Sequence, residues 1–436
     1  MSKQPKNKIH VQEESPFLQA MVEATRAKFG DEGGVTYMGS EINELVVGIP
    51  LPALSLMYLF DSDVFPLGKT VGFAGAPQAQ KSSLLFEIIR WFQGLGGYGK
   101  IVECEGNKVS PTLVASIVGQ EKFKQVMIDP CKTIDEARKR IVHTLEFLKK
   151  HDPEKKIPFI LGLDSATGAT DDETVEKLMG DEDYSGRSYP ITALYYTNLL
   201  KVLSAEMAGW PFSFVFTNHL KEKPAEMQGL PPKKGMPGGQ ALMFHGSYVF
   251  WLTRIGSEQH MTRVVNGEAI SCPVETRKLL LECFKTSLGT DGRRITVDFH
   301  WWHENGHQVS VFDWSAATAR MLYGMQDKES AELKQFRGIK MLRGGLGDML
   351  DITMSDQRFT SKKLGLSKLN DHEFGEAVHA DAKLMEQLIE FMHIKRHPVL
   401  ASVADRAKAL TAKIEKADLP VGPDPASAGA DEPIEV

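Results

Sequence analysis

The residues best placed to do chemistry begin in the stretch VGFAGAPQAQKSS (71–83). An apolar run ends at Gly75, and Lys81-Ser82 follow at the spacing of a phosphate-binding loop, G-x-x-x-x-G-K-[ST]. Such a loop joins a strand to a helix N-terminus and turns backbone N–H groups toward phosphate oxygens. Gly75, Ala76, Pro77, Gln78, Ala79, Gln80, Lys81, Ser82 and Ser83 would form the cradle. Lys81 would reach the β- and γ-phosphates and the Ser82 hydroxyl would bind Mg²⁺. The pattern's second glycine is missing, because Gln80 stands there. The loop survives that change if Gln80 takes an ordinary negative φ with its side chain turned away. The plainer alternative is a polar strand-to-helix turn.

Two acids complete the constellation. IPFILGLDS (157–165) places Asp164 at the end of an apolar run, where a carboxylate can hold the water shell of a metal. A turn or helix cap is the other role an Asp-Ser pair commonly plays. IVECEGN (101–107) places Glu103 and Glu105 on one side of a strand by period-2 alternation. Glu105 lies nearer the end and is the better candidate to orient or deprotonate water. A solvated strand-end carboxylate fits the spacing equally well.

Positioning these groups requires strands that all end at one edge. TVGFAG, KIVECEG, FKQVMIDP, PFILGLDS and FSFVFTNH are near-continuous apolar runs. Helical stretches such as KSSLLFEIIRWFQGLG, TIDEARKRIVHTLEFLKKH and ITALYYTNLLKVLSAEM alternate with them. That alternation predicts an α/β fold with a mainly parallel twisted sheet. SYVFWLTRI, TRKLLLECFK and RRITVDFHWW follow closely with turn signals between them, which predicts an antiparallel extension. Ser15-Pro16 reads as a helix start, and Phe17, Leu18, Met21, Val22 and Phe29 recur at helical spacing over 16–29.

The expected division is an N-terminal helix and linker (1–50), a core (51–312), a helical C-terminal domain (313–416) and a disordered acidic tail (417–436). The chain has 436 residues, 42% of them hydrophobic, and a formal net charge of −6. That balance gives no global electrostatic case for nucleic acid, so any such site must be local. The four cysteines, Cys104, Cys131, Cys272 and Cys283, show no C-x-x-C spacing and read as free thiols. No signal peptide or membrane-length apolar run is evident, so a cytoplasmic protein is expected, without a membrane partner.

In this order the residues resemble the RecA family of DNA recombinases. The likeness runs over roughly residues 15–305. EATRAKFGDEGGVTYMGSE resembles the family's N-terminal helix and linker, and VECEGNKVSPTLVASIVG its strand ending in the catalytic glutamate, which maps to Glu105. LGLDSATG resembles the Walker B strand, with its acid at Asp164. FVFTNHLKEK is similar to the strand carrying the nucleotide-sensing residue, at His219 here. GMPGGQALMFHGSYVFWLTRI resembles the end of the second DNA-binding loop and the strand beyond it, and is the most specific match. Bacterial members usually have Gly where Gln80 stands and Gln where His219 stands. Phage recombinases of the UvsX type resemble this chain in replacing that Gly with a bulkier residue. The family's adenine-stacking Tyr is not evident; Leu113 falls near its place.

The resemblance implies a RecA-type P-loop ATPase core using ATP and Mg²⁺, with an N-terminal helix arm that packs on a neighbouring subunit. It implies a helical filament on single-stranded DNA, with strand exchange against a homologous duplex. It also implies single-strand-binding and mediator proteins as partners and, for a phage-encoded chain, the host cytoplasm. DNA contacts would come from two loops. The first, 174–190, includes Lys177 and Arg187; the second, 221–242, includes Lys221, Lys223, Lys233, Lys234, Gly238 and Gly239. Positive charge and Gly-rich turns on a long loop suit phosphate contacts. Lys285 is expected to reach the γ-phosphate of the next subunit; a surface lysine at a strand end is the alternative. Two rival functions stay open: a ring helicase of the replicative type, and a filament protein in which Gln80 has disabled hydrolysis.

Overall fold

A computed structural model describes residues 48–106, 109–155, 157–168, 191–207, 210–223, 233–237, 241–261, 263–265, 268–326, 346 and 349–397. The expected helix over 16–29, the first DNA loop with Lys177 and Arg187, Gly238 and Gly239, and the acidic tail lie outside the described residues.

In chain order, β1 (Gly48–Pro50) and β2 (Val64–Pro66) pair antiparallel on either side of α1 (Leu54–Phe60). Next come β3 (Thr70–Gly75), α2 (Lys81–Gly94), β4 (Tyr98–Glu103), α3 (Pro111–Val118) and β5 (Val126–Pro130). α4 (Ile134–His151), β6 (Phe159–Asp164), α5 (Ile191–Glu206) and β7 (Phe212–His219) follow. Short strands β8 (Lys221–Lys223) and β9 (Lys233–Gly235) and the helical turn α6 (Ala241–His245) lead to β10 (Tyr248–His260). The small hairpin β11 (Arg263–Val265) and β12 (Glu268–Ile270) precedes three long strands, β13 (Val274–Thr286), β14 (Arg294–Glu304) and β15 (His307–Asp313). Beyond α7 (Trp314–Gln326) lie β16 (Ile352–Ser355), β17 (Arg358–Ser361), β18 (Leu366–Leu369), α8 (Asp371–Ala380) and α9 (Ala382–Phe391).

Nine of these strands form one sheet in the order β15-β14-β13-β10-β3-β7-β6-β4-β5. The six from β10 to β5 are parallel, and β13 to β15 continue antiparallel. Both faces are covered, which is why the parallel strands read as unbroken apolar runs. On one face α2 buries Leu84, Leu85, Phe86, Ile88, Ile89 and Phe92, each at most 2% exposed, against Val71 and Phe73 of β3. Burying a side chain of this size contributes about 1.5–3 kcal/mol. On the other face α4 and α5 pack Ile141, Leu145, Tyr196 and Leu200 on Leu161, Phe214 and Phe216. α4 begins where expected: Thr133 Oγ1 accepts the Glu136 N–H at 3.2 Å, and Asp135 and Glu136 occupy its positive end.

The region after α7 departs from the all-helical expectation. β16, β17 and β18 form a three-stranded antiparallel sheet ahead of α8 and α9. Ile352, Phe359, Phe374 and Leu388 join the same apolar cluster as α2 and α7.

What matters for function is the carboxyl edge of the parallel strands. Gly75 pairs in register with His219, and Glu103 with Asp164. Four strand ends therefore open onto one rim, the usual place for ligands in open α/β sheets.

Candidate active site

At the end of β3 the chain arches through Ala76–Gln80 into α2. A Cβ on Gly75 would sit 2.5 Å from the Leu252 carbonyl oxygen of β10, so only glycine fits that close approach. Lys81 is 7% exposed, and its Nζ donates to the carbonyls of Gly75 at 3.2 Å and Ala76 at 3.0 Å. Burial pushes the Lys81 ammonium below its ordinary pKa, while Asp164 and Glu105 oppose that shift.

Gln80 does not take the negative φ that its type favours. It sits at φ 60°, ψ 31°, the left-handed region, and Gln78 has φ 62°. The loop must reverse before the helix begins, a turn that glycine makes without steric cost. Nor does the Gln80 side chain turn away: its Oε1 accepts the Ser83 hydroxyl at 2.7 Å across the first turn of α2. Left-handed backbone costs a non-glycine roughly 1–2 kcal/mol. The Ser83 bond returns about 1 kcal/mol. Glycine would add back about 0.4–1 kcal/mol of unfolded-chain entropy. These terms nearly cancel for Gln80→Gly, which is expected to leave the urea midpoint almost unchanged. Gln80→Ala keeps the strain and drops the bond, so it should destabilise by about 1 kcal/mol. Equal midpoints for the two variants would contradict this account.

Asp164 closes β6 and is 5% exposed. Burial pushes its carboxyl up, and hydrogen bonds from the Ser82 and Thr217 hydroxyls pull it back; Thr217 Oγ1 lies 2.5 Å from Oδ1. The Ser82 hydroxyl of α2 and the Asp164 carboxylate thus meet, as a shared hard-oxygen donor pair. Glu103 is buried at 1% exposure and accepts the Glu105 N–H at 2.8 Å. Glu105, just past the strand, faces an open cleft of ≈ 500 Å³ with Thr167, Gly168, Lys132 and His219. Its Oε1 accepts the Ser165 hydroxyl at 2.5 Å and lies 3.1 Å from His219 Nε2. A Cβ on Gly168 would stand 2.8 Å from Glu105 Cγ, so that glycine leaves room for the carboxylate.

The donor set fits a magnesium–nucleotide complex. Two carboxylates, Asp164 and Glu105, share the site with one buried ammonium. Among the described residues no group of three or more His, Cys, Asp or Glu is arranged to cage a metal. Mg²⁺ keeps waters and substrate phosphates as ligands and needs only one or two protein oxygens, which Ser82 and Asp164 could supply.

The chain is distantly similar to bacterial RecA proteins. It is 23% identical to "Protein RecA" of Legionella pneumophila over 252 residues, 58% of this chain and 67% of that protein. To "Protein RecA" of Xanthomonas campestris pv. campestris (strain B100) it is 23% identical over 251 residues, 58% of this chain and 68% of that protein. No family model matches. The mixed sheet, parallel with an antiparallel extension, is consistent with a RecA-like core.

Of the sequence-predicted residues, Lys81, Ser82, Asp164, Glu105 and His219 gather around the loop. Lys285 does not join them. It pairs with Val249, which is level with Gly72 of β3 rather than Gly75, and its Nζ donates to the Phe244 and Gly246 carbonyls at 2.8 and 2.7 Å. Lys221, Lys223, Lys233 and Lys234 fall on β8 and β9, where Lys223 pairs in register with Lys233 and Glu222 with Lys234. This hairpin is tied to the site's rim: Asn218, beside His219, donates its Nδ2 to the Pro237 carbonyl at 3.0 Å. Leu113 sits on α3, partly buried against the core.

Sequence reading missed Ser165, Thr217 and Asn218. A Thr and an Asn inside the apolar run FSFVFTNH were the available signal, since buried polar residues in a strand are informative. It also missed Arg254, whose Nη1 donates to Gln78 Oε1 at 3.2 Å. Nothing local in sequence links those two positions.

Proposed function

We propose that this chain is a DNA-dependent ATPase of RecA type that assembles as a helical filament on single-stranded DNA. In that filament it pairs the strand with a homologous duplex and exchanges strands. The observation that carries the proposal is the meeting of Lys81, Ser82, Asp164, Glu105 and His219 at one sheet edge.

The loop from Gly75 to Ser83 holds the ATP phosphates, and Lys81 neutralises charge on the β- and γ-oxygens. Ser82 and Asp164 would hold Mg²⁺, which would supply positive charge against the charge that develops on the phosphates. Glu105 orients the attacking water and accepts its proton. Ser165 positions Glu105 through its hydroxyl. His219, in contact with Glu105 and continuous with the β8–β9 hairpin, relays nucleotide state toward the DNA-binding segment. Lys177, Arg187 and the β8–β9 lysines bind phosphates, with Gly238 and Gly239 supplying backbone donors.

Head-to-tail association that does not close yields a filament. In it, Lys285 would reach the neighbouring subunit's γ-phosphate, and the 16–29 helix would bind the neighbouring core. Single-strand-binding and mediator proteins are further partners. The phage UvsX-like branch, drawn from Gln80, and a host-cytoplasmic setting belong to the same proposal.

The test is ATP hydrolysis with and without single-stranded DNA, followed by strand exchange with a homologous duplex. DNA-stimulated hydrolysis with exchange is the expected result. Stimulation without exchange favours the helicase reading. DNA binding with no hydrolysis favours a filament protein in which Gln80 has disabled the site.

A further inference from the structure

The site carries two thiols that hydrolysis does not use. Cys104 is the first residue past β4 and Cys131 the first past β5, its parallel neighbour. Their register pairs Glu103 with Pro130, and the Cys131 N–H donates to the Glu103 carbonyl at 2.8 Å. The two cysteines therefore stand side by side, with Sγ atoms 3.0 Å apart. Adjacent strands lie about 4.7–4.9 Å apart, inside the Cα range that disulfides span. Both are free, and both are buried, at 3% and 5% exposure. Both nevertheless line the cleft that Glu105 and His219 face.

We propose that Cys104 and Cys131 are a reversible dithiol–disulfide pair that switches the ATP site off under oxidation by a peroxide. This rests on the reading of Glu105 as the water-orienting acid. Cys131 is the thiol to react first. The hydrogen bond from Cys104 holds it below its ordinary pKa, burial opposes that, and Arg140 adds to the lowering. Its thiolate attacks one oxygen of hydrogen peroxide; the O–O bond breaks, giving a sulfenic acid and hydroxide. The Cys104 sulfur then attacks the Cys131 sulfur. The S–S bond forms, the S–O bond breaks, and the departing hydroxide takes the Cys104 proton as water. Two thiols and one peroxide become one disulfide and two waters; the two sulfurs are oxidised and the peroxide oxygens are reduced.

The consequence follows from geometry. A disulfide sets its sulfurs about 2.05 Å apart, so they must close by about 1 Å. Cys104 is bonded directly to Glu105, and its N–H is held by the Asp164 carbonyl at 2.8 Å. Displacements near 1 Å at a reacting group cost on the order of 10²-fold in rate.

The experiment treats the full chain with hydrogen peroxide, alkylates the remaining thiols, digests, and measures peptide masses alongside ATP turnover. A Cys104–Cys131 linked peptide is expected. Turnover should fall at least about tenfold with its appearance and return after dithiothreitol, given the positional sensitivity above. In Cys131→Ala the ratio of treated to untreated turnover should stay near unity. The proposal is overturned if both thiols remain open to alkylation after peroxide. It is equally overturned if the linked protein turns over ATP at the reduced rate, or if Cys131→Ala is inactivated as fully as the parent. A reduced protein that hydrolyses no ATP overturns the ATP-site reading and, with it, the switching role. The linked peptide then judges the thiol chemistry alone, so the two failures are told apart.

Discussion

Lys81→Ala is expected to lower ATP turnover by on the order of 10²–10³-fold, with or without single-stranded DNA, as removing one preorganised charge donor typically does. Among the described residues Lys81 is the buried lysine of the site. It is the ammonium placed between the loop carbonyls of Gly75 and Ala76 and the carboxylates Asp164 and Glu105. Without it those two acids face incoming phosphates, and like charges in a half-closed site repel strongly. Nucleotide affinity should therefore fall together with kcat, because Lys81 contacts the phosphates in the ground state and meets more negative charge on them in the transition state. Lys81→Arg is not expected to restore activity. A planar guanidinium cannot occupy the position of a compact ammonium folded under the arch. Thermal unfolding of the same samples separates this loss from misfolding, since the core face of α2 is untouched by the change. DNA-stimulated hydrolysis that survives in Lys81→Ala would remove the phosphate-loop assignment altogether.

Much of this site was legible because its parts are local. A strand, a loop with Lys-Ser and a helix occupy contiguous residues, and β3, the loop and α2 follow that pattern. Asp164 was legible as the end of an apolar run, and burial on both sheet faces explains why the run was so clean. The Gln80 backbone was not legible. A non-glycine at φ 60° is the exception, and the Ser83 bond that steadies it is a matter of side-chain geometry. The Cys104–Cys131 contact was hidden for a different reason. Each cysteine reads as an ordinary buried thiol until the order of β4 and β5 is known, and strand order is a non-local property. The sheet after α7 escaped because its strands are four residues long, too short for periodicity to declare. Its first turn is also unusual: Asp356 and Gln357 both take positive φ, at 52° and 61°, where Asn-Gly would have announced a hairpin.

Glu105→Gln is expected to behave differently from Lys81→Ala, and the difference tests the division of labour. Gln is close to isosteric, and its amide oxygen can still accept the Ser165 hydroxyl and a proton-bearing His219 Nε2. The variant therefore keeps the shape of the cleft and loses the ability to accept a proton from water. General-base removal typically costs 10²–10⁴-fold, so kcat should fall on the order of 10²-fold or more. KM for ATP should change little, because Glu105 is assigned to the attacking water and the phosphates are assigned to the loop and Lys81. ATP-dependent DNA binding should persist and outlast that of the parent protein, since bound ATP is no longer consumed. Turnover within a few-fold of the parent would demote Glu105 to a solvated strand-end carboxylate, the alternative its spacing always allowed. A parallel loss of affinity and kcat would instead place Glu105 beside Lys81 as part of the phosphate cradle. Only a fall in kcat at nearly constant KM fits a carboxylate that acts on water while the loop holds the nucleotide.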